Sequence, residues 1–503
     1  MTGNLLFDRL LAAGRPSGLA IETDTRRYAY ADLDRESARL ANALVGLGVR
    51  PGDRVAVQVE KSAVNLLLYL AAVRAGAVYL PLNTAYTLAE LAYFIGDAEP
   101  ALIVGDPVAR AGVAGVAGIA RVETLDAAGE GSLADLSSSQ PDVFETRPRT
   151  EDDLAAICYT SGTTGRSKGA MLTHRALASN AATLVDLWRF TPADVLVHAL
   201  PVYHVHGLFV ATNVALMAGA SMILQPKFEP GAVVAAMARA TSLMGIPTFY
   251  TRLLAHPGLT REAVAGMRLF ISGSAPLLAQ THHDWTERTG KPILERYGTT
   301  ETGMNTSNPY DRERVAGTVG FPLPDVALRI VDEATGGDVP DGEIGVIEVK
   351  GPNVCAGYWR NPEKTAEAFR PDGYFITGDL GQRDARGYVS IVGRGKDLII
   401  TGGLNVYPKE VEAEIDALPG VVESAVIGLP HADFGEGVTA VVAVGAGSSA
   451  NQLTESAVLE AIAPRLARFK QPKRVLFVTD LPRNAMGKVQ KARLREDHRD
   501  LYR

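Results

Sequence analysis

The run Tyr159-Thr160-Ser161-Gly162-Thr163-Thr164-Gly165-Arg166-Ser167-Lys168-Gly169 gathers hydroxyls, glycines and two cations into one short stretch. Glycine lets a backbone turn tightly and approach a ligand, while hydroxyls, amides and the charges of Arg166 and Lys168 suit oxyanions. Phosphate is the natural guest. The run is not a Walker A loop, which places Gly-Lys-Ser/Thr at a fixed spacing after its first glycine; here Lys168 lies between Ser167 and Gly169. The bland alternative is an exposed turn rich in Ser, Thr and Gly.

Three further clusters have chemistry of the same kind. Ser272-Gly273-Ser274-Ala275-Pro276-Leu277 is small and turn-forming, so a flat base could lie close to its backbone. Glu295-Arg296-Tyr297-Gly298-Thr299-Thr300-Glu301 supplies an aromatic face, hydroxyls and carboxylates. Tyr297 could stack on adenine, Thr300 bond an α-phosphate and Glu301 hold a magnesium ion bridging phosphate oxygens; a core Tyr and a helix-capping Glu are the plain alternative. Tyr374-Phe375-Ile376-Thr377-Gly378-Asp379 ends in a carboxylate suited to ribose hydroxyls, or in a turn residue. Near the C-terminus, Lys488 follows a glycine in Leu481-Pro482-Arg483-Asn484-Ala485-Met486-Gly487-Lys488-Val489, where most lysines are simply solvated.

The elements that must position these residues alternate strand and helix. Leu154 to Cys158 is short, apolar and branched, as in a buried parallel strand, and Thr173 through Trp188 has helical spacing, so the phosphate loop reads as strand, loop, helix. Residues 19 to 104 read as a β/α layer on a parallel sheet, and 105 to 150 as irregular connections. From Leu154 to Pro309, strands at Val195, Ser221, Ser242, Arg268 and Ile293 are each expected to lead into a helix. The candidate residues follow the carboxyl ends of these strands, where open α/β sheets bind ligands. Gly317 to Val392 alternates with frequent turns, as a small antiparallel, β-barrel-like unit would. After Gly393-Arg394-Gly395-Lys396-Asp397 the texture changes again, placing a hinge at Lys396 between domains 1–395 and 396–503.

A chain of 503 residues must split into domains. Fifty Lys and Arg against 57 Asp and Glu give a net charge of -7 with no basic block, which argues against nucleic acid. The two cysteines, Cys158 and Cys355, lie far apart in apolar surroundings, as in a reducing compartment. No run is long enough to span a membrane, and a cytoplasmic location is expected.

In order and wording, these clusters resemble the adenylate-forming superfamily of acyl-CoA synthetases, adenylation domains and luciferases, over roughly residues 20 to 490. The resemblance implies ATP, Mg2+ and coenzyme A. Thr160, Ser161, Gly162, Thr163, Thr164, Gly165 and Lys168 would hold phosphate, with Thr163 and Glu301 at the metal. Ser274, Ala275 and Pro276, with Glu295, Arg296, Tyr297, Gly298 and Thr299, would form the nucleotide site. Asp379 and Arg394 would contact the ribose, and Thr300, Glu301, His204 and Lys488 would act in catalysis. Carboxylate attack on ATP gives an acyl-adenylate; the C-terminal domain then swings about Lys396 so that coenzyme A displaces AMP. Gly402, Gly403 and Leu404 would line the pantetheine path, and a lysine acetyltransferase and deacetylase could act on Lys488.

For the acid, an apolar pocket would suit a fatty or aryl tail, yet the segments expected to line it carry Arg252, His204 and His206, beside Ser274 and Met304. Arg252 is a surface arginine or the partner of a second carboxylate. Ala199 to Leu208, Pro247 to Leu254 and Glu295 to Asp311 resemble malonyl-CoA synthetases, which implies malonate with its distal carboxylate on Arg252, and methylmalonate tolerated. The alternatives are a ligase for acetate, propionate or acetoacetate, or an enzyme loading a carrier-protein thiol.

Overall fold

The computed structural model describes residues 3–160, 167–445, 453–484 and 487–502. The expected phosphate-loop residues Ser161, Gly162, Thr163, Thr164 and Gly165 lie outside them.

Hydrophobicity decides the architecture. The strands Val78–Pro81, Leu102–Gly105, Ser221–Leu224 and Leu269–Ser272 are buried along their whole length, which requires cover on both faces. The helix Ala63–Arg74 is apolar on every side and buried from end to end except at Val64. Such a helix belongs between sheets. Two sheets of the described residues share its core. One has the order Arg121–Thr124, Leu102–Gly105, Arg54–Gln58, Val78–Pro81, Leu154–Thr160, Lys168–Thr173. The other runs Phe321–Pro322, Gly303–Ser307, Leu294–Thr299, Leu269–Ser272, Ser242–Gly245, Val195–His198, Ser221–Leu224, Leu19–Glu22, Arg27–Ala29.

Several expectations change here. Leu154–Thr160 is paired antiparallel with Lys168–Thr173, so the element that follows the phosphate-loop residues is a strand and not a helix; the helix His174–Leu187 begins one strand later, capped by Thr173. Leu19–Glu22 and Arg27–Ala29 join the second sheet, not the layer of their sequence neighbours, because Leu19–Glu22 pairs with Ser221–Leu224. Residues 105 to 150 contain two short helices, Arg110–Val116 and Ser132–Ser138, and the strand Arg121–Thr124, pieces too short to show a period. After Leu294–Thr299 comes an antiparallel strand, Gly303–Ser307, in place of a helix.

The turn-rich segment forms an open four-stranded antiparallel sheet, Ala327–Val331, Gly345–Lys350, Phe375–Arg383, Val389–Arg394, and its edge strands do not pair to close a barrel. Ile399–Thr401 already belongs to the next sheet, in which Val421–His431 and Gly435–Val444 pair over a long register and Arg474–Val478 adds in parallel. That sheet has cores of its own under the helices Pro408–Asp416, Glu455–Ile462 and Lys491–Asp497.

At the amino ends of the second sheet, Asp194 accepts Arg268 Nε at 2.7 Å and Nη2 at 2.9 Å, Thr241 Oγ1 at 2.6 Å and Thr191 N at 2.9 Å, while only 3 % exposed. The carboxylate is held below its usual pKa despite burial, by the Arg268 and Thr241 bonds. Arg268→Met strands that charge, and we expect a loss of about 3 kcal/mol. Calorimetry should show a lowered midpoint with the KM for ATP unchanged, since the pair sits at the opposite end of the strands from the candidate site.

Candidate active site

Parallel register brings the candidate segments together. Gly245 pairs with Ser272, and Ser272 with Glu295, so the chain leaves neighbouring strands side by side into Ile246–Pro247, Gly273–Pro276 and Thr299–Glu301. Ser274 takes a left-handed φ of 71°, uncommon for a residue with a Cβ, and its hydroxyl lies 3.0 Å from His206 Nδ1. His206 opens a π-helical turn, His206–Thr212, whose Gly207 carbonyl is taken by Thr212 Oγ1 at 3.0 Å and His198 Nε2 at 2.9 Å. The wide turn follows from that diversion.

Tyrosine hydroxyls tie the remaining sheets to this row. Tyr297 donates to Asp379 Oδ2 at 2.6 Å, and Arg394 Nε meets Oδ1 of the same carboxylate at 2.9 Å. Tyr358 donates to Glu301 Oε1 at 3.1 Å, and Lys168 Nζ lies 4.1 Å from the centre of its ring. Lys168, Tyr358 and Glu301 thus form one column. Glu301 sits in the turn between Leu294–Thr299 and Gly303–Ser307, a turn braced by Asn353 Nδ2 on the Thr302 carbonyl at 2.6 Å and by Thr299 and Thr302 Oγ1 at 3.0 Å. Tyr358 was not among the sequence candidates. Its signal was there, an aromatic pair after Gly357, but nothing local links it to Glu301.

Lys488 joins from the C-terminal half. Its ammonium is crowded by protein, which lowers its pKa; Arg394 and Arg296 lower it further, and Asp379 and Glu301 oppose them. The side chain is nevertheless solvent-accessible, because it projects into an open cleft. His204 shares this space: burial, then Lys488 and Arg296, push it down to about 3, and His206 is lowered by burial, Arg296 and its neighbouring histidines. Both imidazoles are neutral at physiological pH. His204 Nδ1 and His206 Nε2 are buried without hydrogen-bond partners.

Arg296 is the unusual member. It is 2 % exposed, its Nε and Nη2 are buried without partners, and it forms no ion pair among the described residues. The guanidinium occupies the space a Gly273 side chain would take, since a Cβ there would fall 2.5 Å from its Cζ. Burial pulls its pKa down to about 9. Glu295 gives it little relief: burial raises that carboxyl to about 8, and its Oε1 accepts Leu277 N at 3.2 Å while Oε2 has no partner.

Other candidates lie apart. Arg252 is exposed on the helix Pro247–Leu254, two residues from the fully buried Tyr250 and so on the opposite face. Met304 is 2 % exposed, in the main core beneath Gly298, and has almost no surface on the cleft. Ala275 is half-buried and Pro276 exposed, as a wall for a base requires. Thr160 Oγ1 reaches the Lys168 carbonyl at 3.4 Å at the base of the hairpin. Gly402, Gly403 and Leu404 form the tip of a separate hairpin, with Leu404 48 % exposed and Gly402 N on the Phe434 carbonyl; among the described residues no hydrogen bond joins them to the cleft. Lys396 is exposed between the last two sheets, its pKa lowered to about 8 by surrounding protein and Arg394.

No cluster of three or more His, Cys, Asp or Glu among the described residues could hold a metal by itself. Glu301, with one oxygen on Tyr358 and capacity left on the other, fits a magnesium ion that takes its remaining ligands from ATP and water.

The raised Glu295 carboxyl has a measurable consequence. The folded chain keeps its proton up to about pH 8, whereas an unfolded Glu loses it near 4.3. Between those values folding binds a proton, so stability falls as pH rises. Glu295→Gln retains an acceptor for Leu277 N and cannot ionise. It should melt with the parent at about pH 5 and several degrees above it at about pH 8; identical pH profiles would refute the assignment.

The AMP-binding enzyme family matches residues 10–359, and the AMP-binding enzyme C-terminal domain matches 410–488. MatB from Rhodopseudomonas palustris is 62% identical over 100% of both chains; the TM-score is 0.98 with its ATP-bound crystal structure and 0.86 with the apo form. A feruloyl-CoA synthase from an Amycolatopsis species is 37% identical over 95% of this chain and 96% of its own. A malonate–CoA ligase from Arabidopsis thaliana is 33% identical over 95% of this chain and 86% of its own. With both matched segments meeting at a cleft of unpaired cations and one metal-competent carboxylate, the chain belongs to the AMP-binding enzyme family.

Proposed function

We propose that this enzyme ligates malonate to coenzyme A through a malonyl-adenylate, consuming ATP with Mg2+ and releasing AMP and pyrophosphate. Relatives of similar identity act on acids as different as ferulate and malonate, so the acid must be argued from the pocket. The observation that carries it is the buried, unpaired Arg296 guanidinium. A buried cation without a partner is strongly destabilising, and a substrate that brings the missing anion removes that cost. Lys488 and His204 share its surroundings, so the charge lies near where a reacting carboxylate meets the α-phosphate. Malonate carries its second carboxylate one methylene from the first, a span short enough to reach both. A monocarboxylate leaves Arg296 bare, and an aryl tail would meet a charge. Arg252, exposed with no ion pair among the described residues, adds positive potential that reaches Arg483 of the lysine loop. Methylmalonate should be tolerated, since one methyl changes discrimination by about 1–3 kcal/mol.

The remaining residues take roles that follow from their places. Lys488 stabilises charge building at the α-phosphate, Glu301 holds the magnesium ion that bridges phosphate oxygens, and Lys168 and Thr300 contact phosphate. Asp379 and Arg394 address the ribose, and Tyr297, held by Asp379, faces the base. Neutral His204 and His206 can accept or donate one hydrogen bond each to the acid without adding charge. The thioester step then needs Lys488 to leave and the hairpin at Gly402, Gly403 and Leu404 to approach, a rotation about Lys396 of domain 396–503 against 1–395. A solvent-accessible Lys488 is open to an acetyltransferase, and acetylation would remove the charge the first step uses.

AMP release should be compared for malonate and propionate, which differ by a carboxylate in place of a methyl. Arg296→Met should lower malonate kcat/KM by about a hundredfold or more, with the KM for ATP and propionate turnover little changed. Arg252→Ala should lose less, about tenfold, because its charge is exposed. Preference of the parent for propionate would discard malonate and keep the ligase. Lys488→Ala should slow adenylate formation by about a hundredfold or more while thioester formation from bound adenylate survives; equal loss in both steps would contradict the rotation.

A further inference from the structure

Lys488 can act only if its backbone is held still, and the structure contains a device for that on the far side of the loop. The two sides of the loop are paired: Arg483 bridges Val489, Asn484 N donates to the Lys488 carbonyl at 2.9 Å, and Gly487 N to the Asn484 carbonyl at 2.9 Å. Lys488 N donates to Asn484 Oδ1 at 3.0 Å. Gly487 has a left-handed φ of 73° and lies against the N-terminus of the helix Pro247–Leu254, where a Cβ would fall 3.2 Å from Ile246 Cδ1 and Thr248 Oγ1. The loop therefore docks with little clearance.

Arg483 holds this turn from behind. Its Nη1 donates to the Gly487 carbonyl at 2.7 Å, fixing the peptide plane that joins Gly487 to Lys488. Its Nη2 is ion-paired with Glu423, both side chains being 25 % exposed. Glu423 is aimed by an irregularity in the C-terminal sheet: Val421 pairs with Val444 but Glu423 with Ala443, so Val422 is an extra residue, 59 % exposed. Such bulges re-aim the side chains that follow them. Burial, then the nearby charge of Arg252, lowers the Arg483 pKa, and Glu423 is the carboxylate paired with it.

We infer that Glu423 and Arg483 are positioning residues for the adenylation step: the bulged strand sets Glu423, Glu423 orients Arg483, and Arg483 locks the Gly487 carbonyl so that Lys488 points into the cleft. Neither touches a substrate. The inference rests on the two-step ligase reading, because it assigns the pair to one half-reaction only.

The full-length enzyme is assayed twice: for malonate-dependent exchange of pyrophosphate into ATP, and, after adenylate has formed on the enzyme, for the rate of AMP release when coenzyme A is added. Arg483→Met should lower the exchange kcat by about ten- to a hundredfold, as expected for a misplaced catalytic group, with the KM values for ATP and malonate within about twofold and the coenzyme A step unchanged. Arg483→Lys, which keeps one charged donor, should restore part of the rate. Glu423→Gln should slow exchange by itself but add little in the Arg483→Met background, since the two act as one unit. Parallel loss in both steps, additive losses or an unaffected exchange rate would each overturn the inference. If Arg483→Met does not fold, the comparison of Arg483→Lys with Glu423→Gln decides by the same split. If the parent exchanges no pyrophosphate with malonate, the substrate reading fails separately, and the split is read with whichever acid supports exchange.

Discussion

Two tyrosine hydroxyls hold the cleft together. Tyr297 reaches from the nine-stranded sheet to Asp379 on the four-stranded one, and Tyr358 reaches from the connection between that sheet's strands Gly345–Lys350 and Phe375–Arg383 to Glu301. Each bond joins a phenol hydroxyl to a carboxylate, so it is short-range, directional and charge-assisted. Without them the strands would still pack by apolar burial, but Asp379, Arg394, Glu301 and Lys168 would not be fixed relative to one another. The six-stranded sheet supplies Lys168, the first residue of the strand Lys168–Thr173, which completes the column over Tyr358. Hydrophobic burial builds the layers, and these polar contacts align them.

The cleft's electrostatics follow from what is left uncharged. Burial keeps His204 and His206 neutral and holds a proton on Glu295, so the cations Arg296 and Lys488 are not neutralised by neighbours. Asp379 is committed to Arg394 and Tyr297. Among the described residues the balance at the acid end is therefore positive, and anions from outside complete it. A chain of net charge -7 attracts such ligands only locally, through these few unpaired groups. The same economy explains Glu423 behind the lysine loop, where it is paired with Arg483 near the charge of Arg252.

The motifs were legible because their chemistry is local. Ser, Thr and Gly around Lys168, the Tyr-Gly-Thr-Thr-Glu string ending at Glu301, and Lys488 after Gly487 are groups suited to phosphate, a metal ion and a developing charge by residue type and spacing. The strands were legible wherever burial made them continuously apolar, as at Leu269–Ser272. Partnership was not legible. Leu19–Glu22 has the same alternation whether it joins one sheet or another, and the hairpin Leu154–Thr160 with Lys168–Thr173 has the apolar texture of a strand leading into a helix. Short helices such as Arg110–Val116 span too few turns for a period to register.

Arg252 and Arg296 state the same lesson at the site. Both are arginines near the expected pocket, and the resemblance of the surrounding segments to malonyl-CoA synthetases, not the helical spacing from Thr248, pointed to Arg252 for the acid. Burial separates them. Arg296 shares a strand face with Gly298 and fits under Gly273 only because glycine leaves room there, which no local pattern reports. The sequence by itself determined the chemistry available: which groups can hold phosphate, metal and a developing charge, and in what order along the chain. Only the tertiary structure decided which of them lack partners, because an unpaired charge is a property of everything packed around it.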